Sequence, residues 1–238
     1  MAPHQSNVPT DQIVPDFLPE GVNEDQISAI FKRLVSSVDL EKVARGDQMR
    51  ANDLLIDRMG VEKKGKWSLI HFFGQYLLDY FVPDNSSRPP QTSEAESMLF
   101  GFATDPNAFR AAFSEMKDLF SQVLTRLPSD RNQRVEAYHY FDAVAARSVG
   151  APPMSTAEDL VLYPASHYVR HILESDTPAA PQQIDELRAQ VDSFASGIPN
   201  MLRPDLASDV RETALREVEE VRTFIHDWIT RHVQTASA

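Results

Sequence analysis

The chain predicts an all-α fold, a helical bundle-like domain of eight to ten helices behind a disordered N-terminal arm. Three observations predict it. Apolar residues recur at three- and four-residue steps, as in Phe109, Ala112, Phe113, Met116, Leu119, Phe120 and Val123, which share one face only if the backbone is helical. Capping residues and prolines stand where those stretches begin, and glycines where they end. No run alternates apolar with polar residues ahead of a hairpin turn, so strands are expected to be minor or absent.

The elements follow in order. Prolines at 3, 9, 15 and 19, mixed with Ser, Asn, Thr and Asp, predict a flexible arm over residues 1–22. A single all-helical domain is expected over 23–238, with a place to subdivide at 150–156. Asn23, Glu24 and Asp25 suit a helix N-terminus and lead into Ile27, Ile30, Phe31, Leu34 and Val35. Asp39 to Met59 reads as two short helices, divided near Gly46-Asp47 and closed at Gly60. Trp67 to Phe81 is apolar on most sides, which predicts a helix at the centre of the bundle and off its surface, ended by Pro83.

Ser93 and Glu96 form a capping-box pattern ahead of a brief helix carrying Met98, Leu99 and Phe102. Asp105-Pro106 supplies cap and first-turn proline for a long helix to Leu127. Ser129 or Asp130 starts another, which runs to about Val149 and stops at Gly150 before Pro152-Pro153. Ser155 and Glu158 repeat the capping box, and Pro164 opens a helix that turns Tyr168, Val169, Ile172 and Leu173 inward. Pro181 opens the next, ended at Gly197-Ile198-Pro199, and the last runs from about Pro204 to His232, about 40 Å at 1.5 Å per residue.

Composition narrows the function classes. The 238 residues are 42% hydrophobic, enough for a substantial core. Lys and Arg total 23 against 35 Asp and Glu, and the formal charge of −12 disfavours extended duplex nucleic acid as a partner. Without cysteine there is no disulfide, thiolate zinc site or cysteine nucleophile. The opening lacks a basic start followed by an apolar run, so a cytoplasmic protein with no signal peptide and no membrane partner is expected. Dinucleotide, Walker, Gly-x-Ser-x-Gly and EF-hand motifs are all missing, which disfavours nucleotide chemistry.

Chemistry is legible chiefly between Arg134 and Asp176. Glu136 and His139 form Glu-x-x-His, the spacing by which helical bundles present a carboxylate and an imidazole to a metal, but no second copy accompanies it. On a helical wheel His139 is better placed to pair with Asp142, as a partly buried imidazole satisfied by a carboxylate. His167 and His171 form His-x-x-x-His with Glu174 one turn further, although Tyr168 stands where a zinc protease carries its glutamate base. The wheel turns both imidazoles away from the packing face, toward solvent. No cofactor is expected; if one binds, it is a non-haem iron, zinc or manganese ion held by a subset of Glu136, His139, His167, His171 and Glu174.

Two apolar features complete the candidates. Trp67, Phe72, Phe73, Tyr76, Tyr80 and Phe81 read either as core or as the lining of a pocket for an apolar small molecule. Ala214, Val218, Val221, Ile225, Trp228 and His232 follow a 4-3-4-3-4 heptad seam that either closes the chain's own bundle or pairs with a partner helix. The leading expectation is a non-catalytic helical protein acting through self-association, as a homo-oligomer, or through protein–protein interaction. The alternative is a non-haem metal-dependent oxidoreductase or hydrolase using the Glu/His cluster on two helices.

Arg134, Ala137, Phe141, Val144 and Ser148 in RVEAYHYFDAVAARSV fall at spacings similar to a short motif in the coat proteins of flexible filamentous plant viruses. That resemblance covers residues 134–149 and implies a helical, RNA-binding protein with a flexible N-terminal arm. His139 stands where the family's motif has Asp, the net acidity does not favour RNA, and no site residue carries over.

Overall fold

Short polar side chains set where the helices start. Asn23 accepts from the Gln26 amide at 3.0 Å while the Gln26 side chain returns a bond to the Asn23 amide, and Asp39 and Asp105 each accept two first-turn amides, satisfying donors that have no partner inside a helix. The computed structural model describes residues 15–46, 51–83, 94–127, 130–173 and 178–233. Among them lie ten α-helices: α1 Glu24–Ser36, α2 Leu40–Arg45, α3 Ala51–Met59, α4 Val61–Phe81, α5 Glu94–Gly101, α6 Pro106–Arg126, α7 Arg131–Val149, α8 Tyr163–Leu173, α9 Pro181–Met201 and α10 Ser208–His232. A π-helical turn, Glu158–Leu162, precedes α8. The described residues form no strand, only an isolated bridge between Val38 and Ala103, and the fold is all-α.

Several boundaries differ from expectation, each for a local reason. The central helix begins at Val61, six residues before Trp67: Gly60, at φ +84°, turns the chain and its carbonyl accepts from Lys64 at 3.0 Å. Its first turns are polar and carry no apolar period, but Lys66 pairs with Glu62 across one turn. Gly65 is required there, because any Cβ would collide with the Leu40 carbonyl. The helix is also not buried all round, since His71, Gln75, Leu78 and Asp79 form an exposed face. Pro164 falls in the first turn of α8, but a π-helical turn runs straight into that helix: Tyr163 donates its amide to Glu158 five residues back, and the widened turn accommodates a proline that has no amide to give. α9 continues past Pro199 to Met201, and α10 starts at Ser208 because Arg203 and Asp205 close a turn around Pro204 through two hydrogen bonds. Ser93, the cap expected for α5, lies outside the described residues.

The chain divides into two compact units, Met1–Val38 with Phe73–Val149, and Asp39–Phe72 with Gly150–Ala238. In the first, α1 packs on α6 and α7 around an aromatic centre. Phe81 stacks on Phe141 at 5.4 Å, and Phe120 meets both rings edge-on at 5.1 and 4.8 Å, a geometry that adds to area burial. Packing begins ahead of Asn23, within the stretch read as an arm: Phe17 lies edge-on to Tyr140, Leu18 is buried, and Arg126 donates to the Leu18 carbonyl at 3.1 Å. Residues 1–14 lie outside the described residues.

In the second unit α10 packs on α9, on the π-helical turn and on α3, and α3 packs on α8. Their shared core holds Leu54, Val161, Val169, Leu187, Val191, Val221, Ile225 and Trp228. Trp228 is fully enclosed, and its indole N–H donates to Asp57 Oδ2 at 2.8 Å, so the one polar atom of the ring is satisfied. Val221→Asp or Ile225→Asp places a carboxylate at a site with no exposure and is expected to cost more than about 4 kcal/mol, abolishing cooperative unfolding of this unit in urea. Ala214→Asp, at a half-buried position, is expected to cost under about 1 kcal/mol in the same titration.

Candidate functional site

The histidines and carboxylates singled out above are dispersed on helix surfaces. α7 presents Glu136 and His139 as exposed side chains. Asp142, half-buried on the same helix, sits against the backbone of Gly74 in the first unit, where an added Cβ would lie 3.1 Å from its Oδ1. Burial raises the Asp142 carboxyl above the ordinary aspartate range, and His139 pulls it back down. α8 exposes His167 and His171; Glu174 lies outside the described residues. Among the described residues no three His, Asp or Glu side chains gather in a way that could hold a metal ion.

Tyr168 departs from its expected inward position. Its side chain is 44% exposed and covers the half-buried Phe194, with ring centroids 5.9 Å apart. Of the described side chains of that stripe Val169 is fully enclosed and Ile172 partly buried. His226 accepts a surface role, with Nε2 2.9 Å from Asp192 of α9.

A denser polar cluster surrounds the first half of α4. Lys63 pairs with Glu158 at 2.6 Å, and Glu158 also completes the expected capping box, accepting from the Ser155 amide at 2.9 Å while Ser155 Oγ accepts from its own amide at 3.2 Å. Lys64 is buried, with Nζ donating to Ser68 Oγ at 2.5 Å and lying 5.3 Å from the centre of the Trp67 ring. Trp67 stacks on His71 and meets Tyr163 edge-on at 5.1 Å, and Tyr163 in turn meets His167 edge-on at 4.8 Å. No carboxylate pairs with Lys64 among the described residues, and burial pushes its ammonium down to about 8. Lys64 and Ser68 are only 4% and 5% exposed, so this amine–hydroxyl pair is closed to any reactant of substrate size.

The aromatic residues proposed as one pocket separate. Trp67 belongs to the cluster just described; Phe73 packs edge-on against Phe31 at 5.5 Å; Tyr76 and Tyr80 face Phe113 and Phe120 of α6. Of the heptad seam, Val218, Val221, Ile225 and Trp228 are core and Ala214 is half-buried.

Sequence reasoning missed an open groove of about 580 Å³ along α5 and α6 in the first unit. Phe100, Phe109 and Phe113 supply its apolar surface. Arg110 lies 4.6 Å over the Phe100 ring and Lys117 5.8 Å over the Phe113 ring, positions in which a cation is attracted by the ring face. Lys117 is held by Glu96 at 3.4 Å. The signal was available: Phe109 and Phe113 belong to the buried stripe of α6, while Arg110 and Lys117 flank that stripe one residue on. No protein family, curated protein or solved structure matches the chain.

Lys64 yields a stability prediction. Its ordinary value of 10.5 falls to about 8 in the folded protein. Between those values the unfolded chain holds a proton that the native state has released, so stability rises with pH across this window and the cost is present in full below it. Lys64→Met is therefore expected to raise unfolding free energy by about 2–3 kcal/mol at neutral pH, a gain that shrinks as pH is raised toward 10.5. Urea titrations of both proteins at several pH values check it; an equal gain at every pH contradicts it.

Proposed function

We propose that this is a non-catalytic helical protein that works by self-association. The observation that supports the reading is the division of α10. From Val218 onward the helix seals its apolar stripe in its own unit, whereas none of residues 208–217 is buried. Val210 is 50% exposed there, and Met201 at the end of α9 is 68% exposed. Arg211 donates to the Pro199 carbonyl at 2.9 Å, which holds the two helix ends together. Their exposed apolar side chains form an edge that association would remove from water.

Charge favours a second copy as the occupant. Residues 208–217 hold Asp209, Glu212 and Glu217 against Arg211 and Arg216, close to balance in a chain of formal charge −12. Two copies that meet here avoid most of the repulsion they meet elsewhere. Antiparallel pairing of this stretch about a two-fold axis sets arginines of one copy beside glutamates of the other.

Light scattering across a wide concentration range tests the proposal. The average mass is expected to rise with concentration, and the double variant Met201→Glu, Val210→Glu to stay at the monomer mass with its thermal midpoint unchanged. A wild-type monomer at every concentration overturns it.

A further inference from the structure

The groove along α5 and α6 belongs to the first unit and the edge proposed for association to the second, and the charges of the groove are unevenly satisfied. Lys117 is neutralised by Glu96 at 3.4 Å. Arg110 is exposed, lies over Phe100, and has no carboxylate within ion-pair distance among the described residues. Asp118 lies eight residues on along α6, about 12 Å away at the helical rise. The groove therefore offers a ring-lined surface with, among the described residues, a cation without an ion-pair partner at one end and an anion at the other.

A volume of about 580 Å³ falls in the range of small-molecule sites, and an apolar lining with a few convergent polar groups is their usual composition. A guanidinium held on a ring face keeps its in-plane N–H groups free to bond a carboxylate or sulfonate two at a time. A purely aliphatic ligand would leave the guanidinium unanswered, whereas a bare inorganic anion would leave the partly exposed Phe100 ring uncovered.

We infer that this groove binds a small aromatic anion, its ring system against Phe100, Phe109 and Phe113 and its carboxylate or sulfonate on Arg110. The Asp118 end repels the same charge, which fixes the orientation of the bound molecule.

Anilinonaphthalene sulfonate and its uncharged counterpart N-phenylnaphthylamine share a ring framework and differ in the anionic group, so fluorescence titration with each separates ring contact from charge. The folded wild type is expected to bind the sulfonate saturably at one site. Arg110→Gln is expected to weaken the sulfonate about tenfold, the loss of one charge-assisted contact, and to leave the neutral probe unchanged. Phe100→Ala is expected to weaken both. Arg131→Gln, an exposed arginine of α7 away from the groove, should change neither. Equal sulfonate affinity in wild type and Arg110→Gln, with circular dichroism showing both folded, overturns the inference, as does binding that never saturates.

Discussion

The apolar stripe of α10 is the constraint on which the second unit depends. Val218, Val221, Ile225, Trp228 and Ile229 are enclosed by α9, the π-helical turn and α3, so the helix nearest to a coiled-coil seam is already occupied. Trp228 ties this core to α3 through its bond to Asp57. A partner that used the same residues would first have to open the unit and lose their burial, whereas Met201 and Val210 are exposed without any rearrangement. The proposed association would therefore draw on side chains of α9 and α10 other than those that hold the fold.

Much of the helical order was legible because local chemistry specifies it. Asp105-Pro106, Ser155 with Glu158, and the positive-φ glycines at 46, 60 and 150 act within a few residues of themselves, and caps and turns carry the same meaning in most contexts. What escaped is non-local. The start of α4 at Val61 depends on Leu40 approaching Gly65, and the docking of Phe17 depends on Tyr140. Neither contact has a signature in its own neighbourhood. The interleaving of Asp39–Phe72 with the segment after Gly150 is likewise a matter of long-range packing, such as α3 on α8.

The candidate site was less legible than the fold. Spacing identified His167 and His171 as neighbours on one turn, but spacing within a helix cannot supply the third donor, which must come from another element. The α5–α6 groove was hidden by the same rule that found the core, because Phe109 and Phe113 count as buried stripe whichever side chains flank them. Arg110 and Lys117 become distinctive only once Phe100 and Glu96 are seen beside them. Lys64 was missed for a related reason: in Glu62-Lys63-Lys64-Gly65-Lys66 nothing separates the buried ammonium from its exposed neighbours until the packing is known.

Residue-resolved amide hydrogen exchange on dilute protein tests the internal placement of the α10 stripe most directly. Amides of Val218 to Ile229 are expected to exchange only through global opening, at every protein concentration, while those of Asp209 to Arg216 exchange by local fraying. Rapid exchange over Val218 to Ile229 in dilute solution, with protection appearing only as concentration rises, would show that the stripe is completed by a second molecule and would contradict the account.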